Sequence, residues 1–208
     1  IPVYNRIEML RRTMAMITHQ NYPLSLIEVV IADDGSDDNP EQLIDEFESY
    51  FEVNYVRQSD KGYRLSAIRN LGVRAARHDN IIILDCDMAP VPNLVRTYAN
   101  WLILNERMIL IGHRRYVDAN DLSTEEVLRD ATTMLNLPSV ETKNAVMKKS
   151  PSSDWREPIY AETNMLKTSL HPFRVSSCGN VAFHRRIFDD AGDFDEDFTA
   201  WGAEDNEF

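Results

Sequence analysis

Apolar positions along the chain change period several times, and each change marks an element. Ile7, Leu10, Met14 and Ile17 recur at helical spacing after Asn5, whereas Ile27 to Ala32 is a short β-branched run that ends in Asp33-Asp34-Gly35-Ser36. Pro40 is placed to start a second helix with Leu43, Ile44, Phe47 and Phe51 on its apolar face, and Val53 to Val56 reads as the next strand. A helix over Ser66 to Ala76 leads into Ile81-Ile82-Ile83-Leu84, an unbroken apolar strand of the kind buried on both faces, followed at once by Asp85-Cys86-Asp87. Pro92 opens a helix carrying Leu94, Val95, Tyr98 and Leu102, Met108 to Ile111 forms a strand, and Ser123-Thr124-Glu125-Glu126 is a capping-box start. The alternation stops there. From Leu137 to His171 the pattern is irregular, polar and interrupted by prolines, which predicts a long excursion of the lid kind or a partly mobile segment. Glu204 to Phe208 reads as the start of one more helix.

Strands alternating with helices predict an α/β domain with a mostly parallel central sheet flanked by helices. With 208 residues there is enough chain for one substantial core and too little for two. In open α/β sheets ligands sit beyond the carboxyl ends of the strands, so two strands ending in acidic turns place Asp34 and Asp85 on one expected crevice.

Charge narrows the partners. A formal net charge of -12, from 34 acidic against 22 basic residues, repels a phosphate backbone and speaks against nucleic acid. An anionic small substrate would then need a metal ion or a few placed arginines. Cys86 and Cys178 are far apart and make neither a zinc pattern nor a disulfide framework, which fits a reducing, cytoplasmic setting. No apolar run approaches the roughly 20 residues that span a bilayer, and no signal-peptide pattern opens the chain. Both ends read as cut from something longer, so peripheral attachment at the inner membrane face is expected only through flanking segments.

Three clusters could carry chemistry, and each has a plainer alternative. Asp85-Cys86-Asp87 offers two carboxylates at the end of a buried strand, able to reach a divalent cation that bridges two phosphates; the alternative is chance, since D-x-D is common in acidic proteins. Asp33-Asp34-Gly35-Ser36 has the composition of an ordinary turn, yet an aspartate there could also accept a hydrogen bond from a base ring N–H. Trp201-Gly202-Ala203-Glu204-Asp205 combines a ring on which a sugar can stack with two carboxylates, one to hold an acceptor hydroxyl and one to deprotonate it. Acidic residues at a helix N-terminus account for it equally well. The five histidines show no ligand spacing, Arg64 and Arg69 fit a solvated helix face, and no P-loop or G-x-G-x-x-G is present.

Taken in order, Ile1-Pro2-Val3-Tyr4-Asn5-Arg6, Asp33-Asp34-Gly35-Ser36, Arg69-Asn70-Leu71-Gly72 and Leu84-Asp85-Cys86-Asp87-Met88-Ala89-Pro90 resemble the inverting family 2 glycosyltransferases of the GT-A fold. Tyr55-Val56-Arg57-Gln58, Asp154-Trp155-Arg156, Pro172-Phe173-Arg174, Gly179-Asn180-Val181-Ala182-Phe183 and the Trp201 to Asp205 segment resemble the hexosamine-transferring domains of bacterial chondroitin polymerases and hyaluronan synthases. The resemblance implies one GT-A domain over 1–208, with residues 1–112 binding a nucleotide sugar and 113–208 an acceptor. It implies a UDP-sugar donor, a glycan or polysaccharide acceptor, and manganese or magnesium. Pro2 and Tyr4 would border the nucleotide, Asp34 with its neighbour Asp33 would read uracil, and Arg69 would lie near the diphosphate. Asp85 and Asp87 would serve the metal, with Asp85 and Cys86 against the donor. Asp205 would be the catalytic base, Glu204 the acceptor-binding carboxylate and Trp201 the stacking platform. The family's usual histidine ligand falls beyond this segment, past Phe208, and no second transferase domain for an alternating polymer is expected in this stretch.

Two rivals follow from the same residues. An apolar strand ending in Asp85-Cys86-Asp87 imitates the nucleophile strand of haloacid dehalogenase phosphatases, although Met88-Ala89-Pro90 stands where that family expects Thr or Val. A sugar-binding module that has lost catalysis could keep Trp201 and the acidic turns, but it would have no use for Asp85, Asp87 and Asp205 together.

Overall fold

A computed structural model describes residues 1–140, 154–200 and 205. Its first half forms β1 (Pro2–Val3), α1 (Ile7–Ile17), β2 (Glu28–Asp33), α2 (Leu43–Phe47), β3 (Glu52–Arg57) and α3 (Leu65–Ala75). The three strands pair in parallel in the order β1-β2-β3, with Pro2 opposite Ala32 and Asp33 opposite Arg57. β2 is buried on both faces: Val29 and Ile31 join Leu10, Met14 and Phe47 in the largest core cluster, while Gly72 of α3 packs on Ala32. Pro40 opens a short 3-10 turn after Asn39 in the left-handed region, so α2 proper begins only at Leu43. Phe51 lies beyond the helix end but is still buried, its ring stacked on Phe47 at 6.1 Å.

The second half adds β4 (Asn80–Leu84), α4 (Leu94–Leu104), β5 (Ile109–Ile111), α5 (Thr124–Arg129), α6 (Thr132–Leu135), α7 (Glu157–Glu162), β6 (Asn180–His184) and α8 (Arg185–Ala191). The expected capping box forms, Ser123 and Glu126 exchanging side-chain and backbone bonds at the start of α5. The α/β reading holds, but this sheet is not parallel throughout. Its order is β4-β6-β5, and β6 runs antiparallel to both neighbours. The reason is topological: β6 returns from the irregular excursion and enters in reverse between two strands laid down earlier. The expected lid segment includes α7, and its residues 141–153 lie outside the described residues. No described helix is long and apolar enough to cross a membrane.

Two devices fix the edge on which the loops meet. The buried hydroxyl of Thr13 in α1 lies 2.8 Å from the carbonyl oxygen of Cys86 and 2.7 Å from that of Met88 and shares its one hydrogen between them, tying the turn after β4 to the first helix. At the end of β5, Arg156 donates to Gly112 O at 2.7 Å while Asp154 accepts from Arg114 N at 3.2 Å. Asp154 and Arg156 are fully buried and bonded to each other at 2.8 Å. A buried pair of this kind contributes fixed geometry more surely than stability.

Candidate active site

The turn after β2 is built from its own side chains. Asp33 is fully buried, accepting from the Tyr55 hydroxyl at 2.6 Å and from Ser36 N at 2.8 Å, with Arg57 at 3.6 Å. Its carboxylate therefore shapes the turn. Asp34 points the other way, accepting from Gln58 Nε2 at 2.5 Å and Arg64 N at 3.3 Å. Burial holds its carboxyl above the usual range, against the opposing pull of those two donors. Gly35 sits at φ +88°, and any Cβ there would overlap the Asp60 backbone, so only glycine permits this close approach. Tyr4, about half exposed, closes the rim by donating to Asp60 at 3.0 Å, and Pro2 beneath it is buried in β1.

The turn after β4 is held differently. Asp85 lies 3.7 Å from Arg69, Asp87 lies 3.2 Å from Arg6, and 36% and 47% of their side chains remain exposed. Burial pushes the Asp85 carboxyl above its usual range; Arg69 opposes this and the charges of Asp87 and Asp205 reinforce it. Cys86 packs into the α1 core, and burial pushes its thiol up to about 12, so it stays protonated and unreactive. Gly179 leaves room where a Cβ would overlap the Asp85 carboxylate.

Arg69 joins these parts. It is 3% exposed, not on a solvated helix face, and donates from Nη1 to Asp205 Oδ1 at 2.7 Å while Nη2 faces Asp85. Phe194 lies under its guanidinium at 5.6 Å, and its Nε has no hydrogen-bond partner among the described residues. Three positions widely separated in sequence thus converge, Asp205 being helical as expected. Trp201 and Glu204 lie outside the described residues.

Sequence reasoning gave no role to Arg114, Gln58 or Arg6, although Gln58 and Arg6 stand in segments that carry the family resemblance. Arg114 follows β5 as the acidic turns follow β2 and β4, and that placement at a strand's carboxyl end was the available signal. It donates to Ser177 Oγ and lies close enough to lower the Asp85 carboxyl. An open cavity of about 890 Å³ lies against Asp85 and Asp87, lined also by Met88, His113, Arg114 and Asn180. Hard carboxylate oxygens suit magnesium or manganese, and the crowded negative charge around Asp85 is of the sort a cation relieves. No cluster of three candidate ligands occurs among the described residues.

Comparison with known proteins places this geometry. The chain matches the Glycosyl transferase family 2 model over residues 1–192 and belongs to that family. It is 43% identical over its whole length to a chondroitin synthase of Escherichia coli and 38% identical to a hyaluronan synthase of Pasteurella multocida, spanning 31% and 22% of those proteins. Among solved structures, Staphylococcus aureus TarS 1-349 in complex with UDP-GlcNAc matches 99% of the chain and 49% of its own with a TM-score of 0.64 at 15% identity. The mannosyltransferase PcManGT of Pyrobaculum calidifontis, in complex with GDP-Man and Mn2+, matches 99% and 48% at a TM-score of 0.59 and 18% identity. The fold is therefore that of the GT-A glycosyltransferases. Family membership replaces the phosphatase reading of Asp85-Cys86-Asp87.

Proposed function

We propose that this domain transfers an N-acetylhexosamine from its UDP form to a hydroxyl of a glycan acceptor, with inversion and with help from a divalent cation. The observation that carries the reading is Arg69, a buried cation that holds the carboxylates of Asp85 and Asp205 at one point beside an open cavity. Nucleotide-sugar complexes among the structural neighbours, and the polysaccharide synthases among the relatives, support the donor and acceptor classes.

In this reading Asp34 accepts the uracil ring N–H, since each carboxylate oxygen has a second lone pair beyond those used by Gln58 and Arg64. Tyr4 and Pro2 border the base. Arg69 turns from Asp205 toward the diphosphate, a buried guanidinium being well matched to phosphate oxygens. Asp205, so released, takes the proton of the acceptor hydroxyl. The oxygen attacks the anomeric carbon as the bond to the β-phosphate oxygen breaks on the opposite side, and one displacement inverts the centre. A cation held by Asp85 and Asp87 would neutralise charge on the departing diphosphate. We assign residues 1–112 chiefly to the donor and 113–208 chiefly to the acceptor, with Glu204 and Trp201 holding the latter.

Calorimetric titration of UDP with and without manganese tests the donor site, and Asp205→Asn tests the base. Metal-dependent UDP binding retained in Asp205→Asn, with transfer lowered by about 10²–10⁴, supports the assignment. Near-normal transfer in that variant removes Asp205 from the mechanism.

A further inference from the structure

Antiparallel pairing brings one polar side chain of β6 to the wall of the acidic cavity. Asn180 opens the strand opposite Leu84, next to the turn that carries Asp85 and Asp87, and its backbone carbonyl accepts from Gly112 N at 2.9 Å where β5 ends. Side chains alternate along a strand. Asn180 therefore shares a face with Ala182, which packs on Tyr98 and Leu102 of α4, while Val181 and Phe183 enter the core on the other side. Only 7% of Asn180 is exposed, and a buried amide is costly to leave without partners. Tyr98 supplies one, its hydroxyl donating to Asn180 Oδ1 at 2.7 Å. Burial pushes that hydroxyl up to about 12, so it keeps the proton it donates.

A close approach of backbone fixes the pair. A Cβ on Gly112 would overlap both Asn180 Nδ2 and the Tyr98 hydroxyl, so β5 closes on them only because a glycine stands there. Arg156 holds Gly112 in turn, donating to its carbonyl oxygen at 2.7 Å. Tyr98 is the one hydrogen-bond partner of the Asn180 side chain among the described residues, so the amide is held by its acceptor atom and its two N–H bonds are left for a ligand. Asn180 lines the cavity of about 890 Å³ together with Asp85, Arg114 and Met88. Neighbouring strands lie about 4.8 Å apart, which sets the start of β6 about one sugar ring from the end of β4.

Resting on the UDP-sugar donor reading above, we propose that Asn180 selects the sugar that is transferred, its N–H donating to the carbonyl oxygen of a 2-acetamido group whose methyl lies against the apolar wall at Met88. A pinned donor suits an oxygen that can only accept. The acetamido carbonyl is such an oxygen, whereas a hydroxyl brings a proton that needs an acceptor of its own. Asn180 belongs to the second half of the chain, but β6 carries it back between β4 and β5 and so onto the donor wall. Tyr98 acts through Asn180 and is a positioning residue.

Calorimetry in manganese on the 208-residue chain tests this by comparing UDP-GlcNAc with UDP-Glc, UDP-GalNAc with UDP-Gal, and all four with UDP. Within each pair the ligands differ only at C2. The unaltered chain is expected to bind one acetamido sugar about tenfold more tightly than its 2-hydroxy counterpart, the scale of one hydrogen bond to a buried donor. Asn180→Ala should bring that ratio to within about twofold while leaving UDP affinity within about twofold of the unaltered chain. Tyr98→Phe, which lets the amide turn, should lower the ratio about threefold; a merely structural loss would fall on all five ligands alike. Tyr98→Phe combined with Asn180→Leu replaces both partners by apolar groups of similar shape and serves if Asn180→Ala does not fold. An acetamido preference that survives in Asn180→Ala or in the double variant overturns the assignment, as does an unaltered chain that binds UDP but draws no distinction at C2. Failure of the unaltered chain to bind UDP overturns the donor reading itself, and the role of Asn180 with it.

Discussion

The two acidic turns look alike in sequence and differ in what holds their carboxylates. After β2, the partners of Asp33 and Asp34 include a tyrosine hydroxyl, a glutamine amide and two backbone N–H groups, all supplied within 31 residues of the turn. After β4, Asp85 and Asp87 face the guanidinium groups of Arg69 and Arg6. The first turn is a finished structure that can read a ligand without rearranging. The second holds unlike charges that a diphosphate and a cation can rearrange, since arginine serves phosphate as readily as carboxylate. In the proposed reading the difference separates recognition from chemistry, and substitutions at Asp33, Asp34, Asp85 and Arg6 can break it.

Between the two turns, the largest effect is expected at Asp85 and the sharpest contrast at Asp33. Asp85→Asn should lower sugar transfer by about 10²–10³, the usual scale for loss of an electrostatic stabiliser, while changing stability by no more than about 1 kcal/mol because the carboxylate is strained by burial and like charge. Asp33→Ala should do the reverse. It leaves Tyr55 and Ser36 N without their acceptor, which costs about 2–3 kcal/mol and lowers Tm by roughly 6–10 °C in a chain of this size. Transfer measured below that Tm should fall less than tenfold. Thermal melts and initial rates on both variants decide it; equal behaviour would mean that the two turns do the same work.

Much of this arrangement was legible because it is local. The strand ends at Asp33 and Leu84, the helices that follow and the capping box at Ser123 all announce themselves within a few residues. What was not legible depends on distant partners. β6 has only three apolar residues in its core, Val181 to Phe183, and becomes a central strand because β4 and β5 flank it. Arg69 read as a surface residue because its partner Asp205 lies 136 positions away. Arg114 is anchored by Asp154, 40 residues on and beyond an irregular segment. The two-residue β1 is too short to have a period at all.

A smaller effect should appear at Asp34. Burial, the largest influence on it, raises its carboxyl above the ordinary range, and the ionised form is the one that accepts a base N–H. UDP affinity should therefore fall as the pH is lowered, beginning at a higher pH than an ordinary aspartate would give. Asp34→Asn should weaken UDP binding about tenfold, near 1.4 kcal/mol, and remove that component of the acid limb. The stability sign is opposite: a raised folded pKa makes the folded state bind its proton more readily, so this group's contribution is greatest at low pH and is lost as pH rises through the folded value. Calorimetry over pH on both proteins separates the two, and an acid limb unchanged in Asp34→Asn would assign it to Asp85.

The smallest effect sharpens the comparison from the other side. Arg6 and Asp87 form an ion pair in which both side chains are about half exposed, and such pairs contribute roughly 0–1 kcal/mol because solvent screens them. Arg6→Ala should leave Tm nearly unchanged. It should, however, free Asp87, so that manganese-dependent UDP binding strengthens slightly, by no more than about threefold, with the gain shrinking as salt is raised past a Debye length of about 10 Å at 0.1 M. Loss of UDP binding in Arg6→Ala would show instead that Arg6 itself serves the diphosphate, and the pairing with Asp87 would then be the resting position of a second donor-binding arginine.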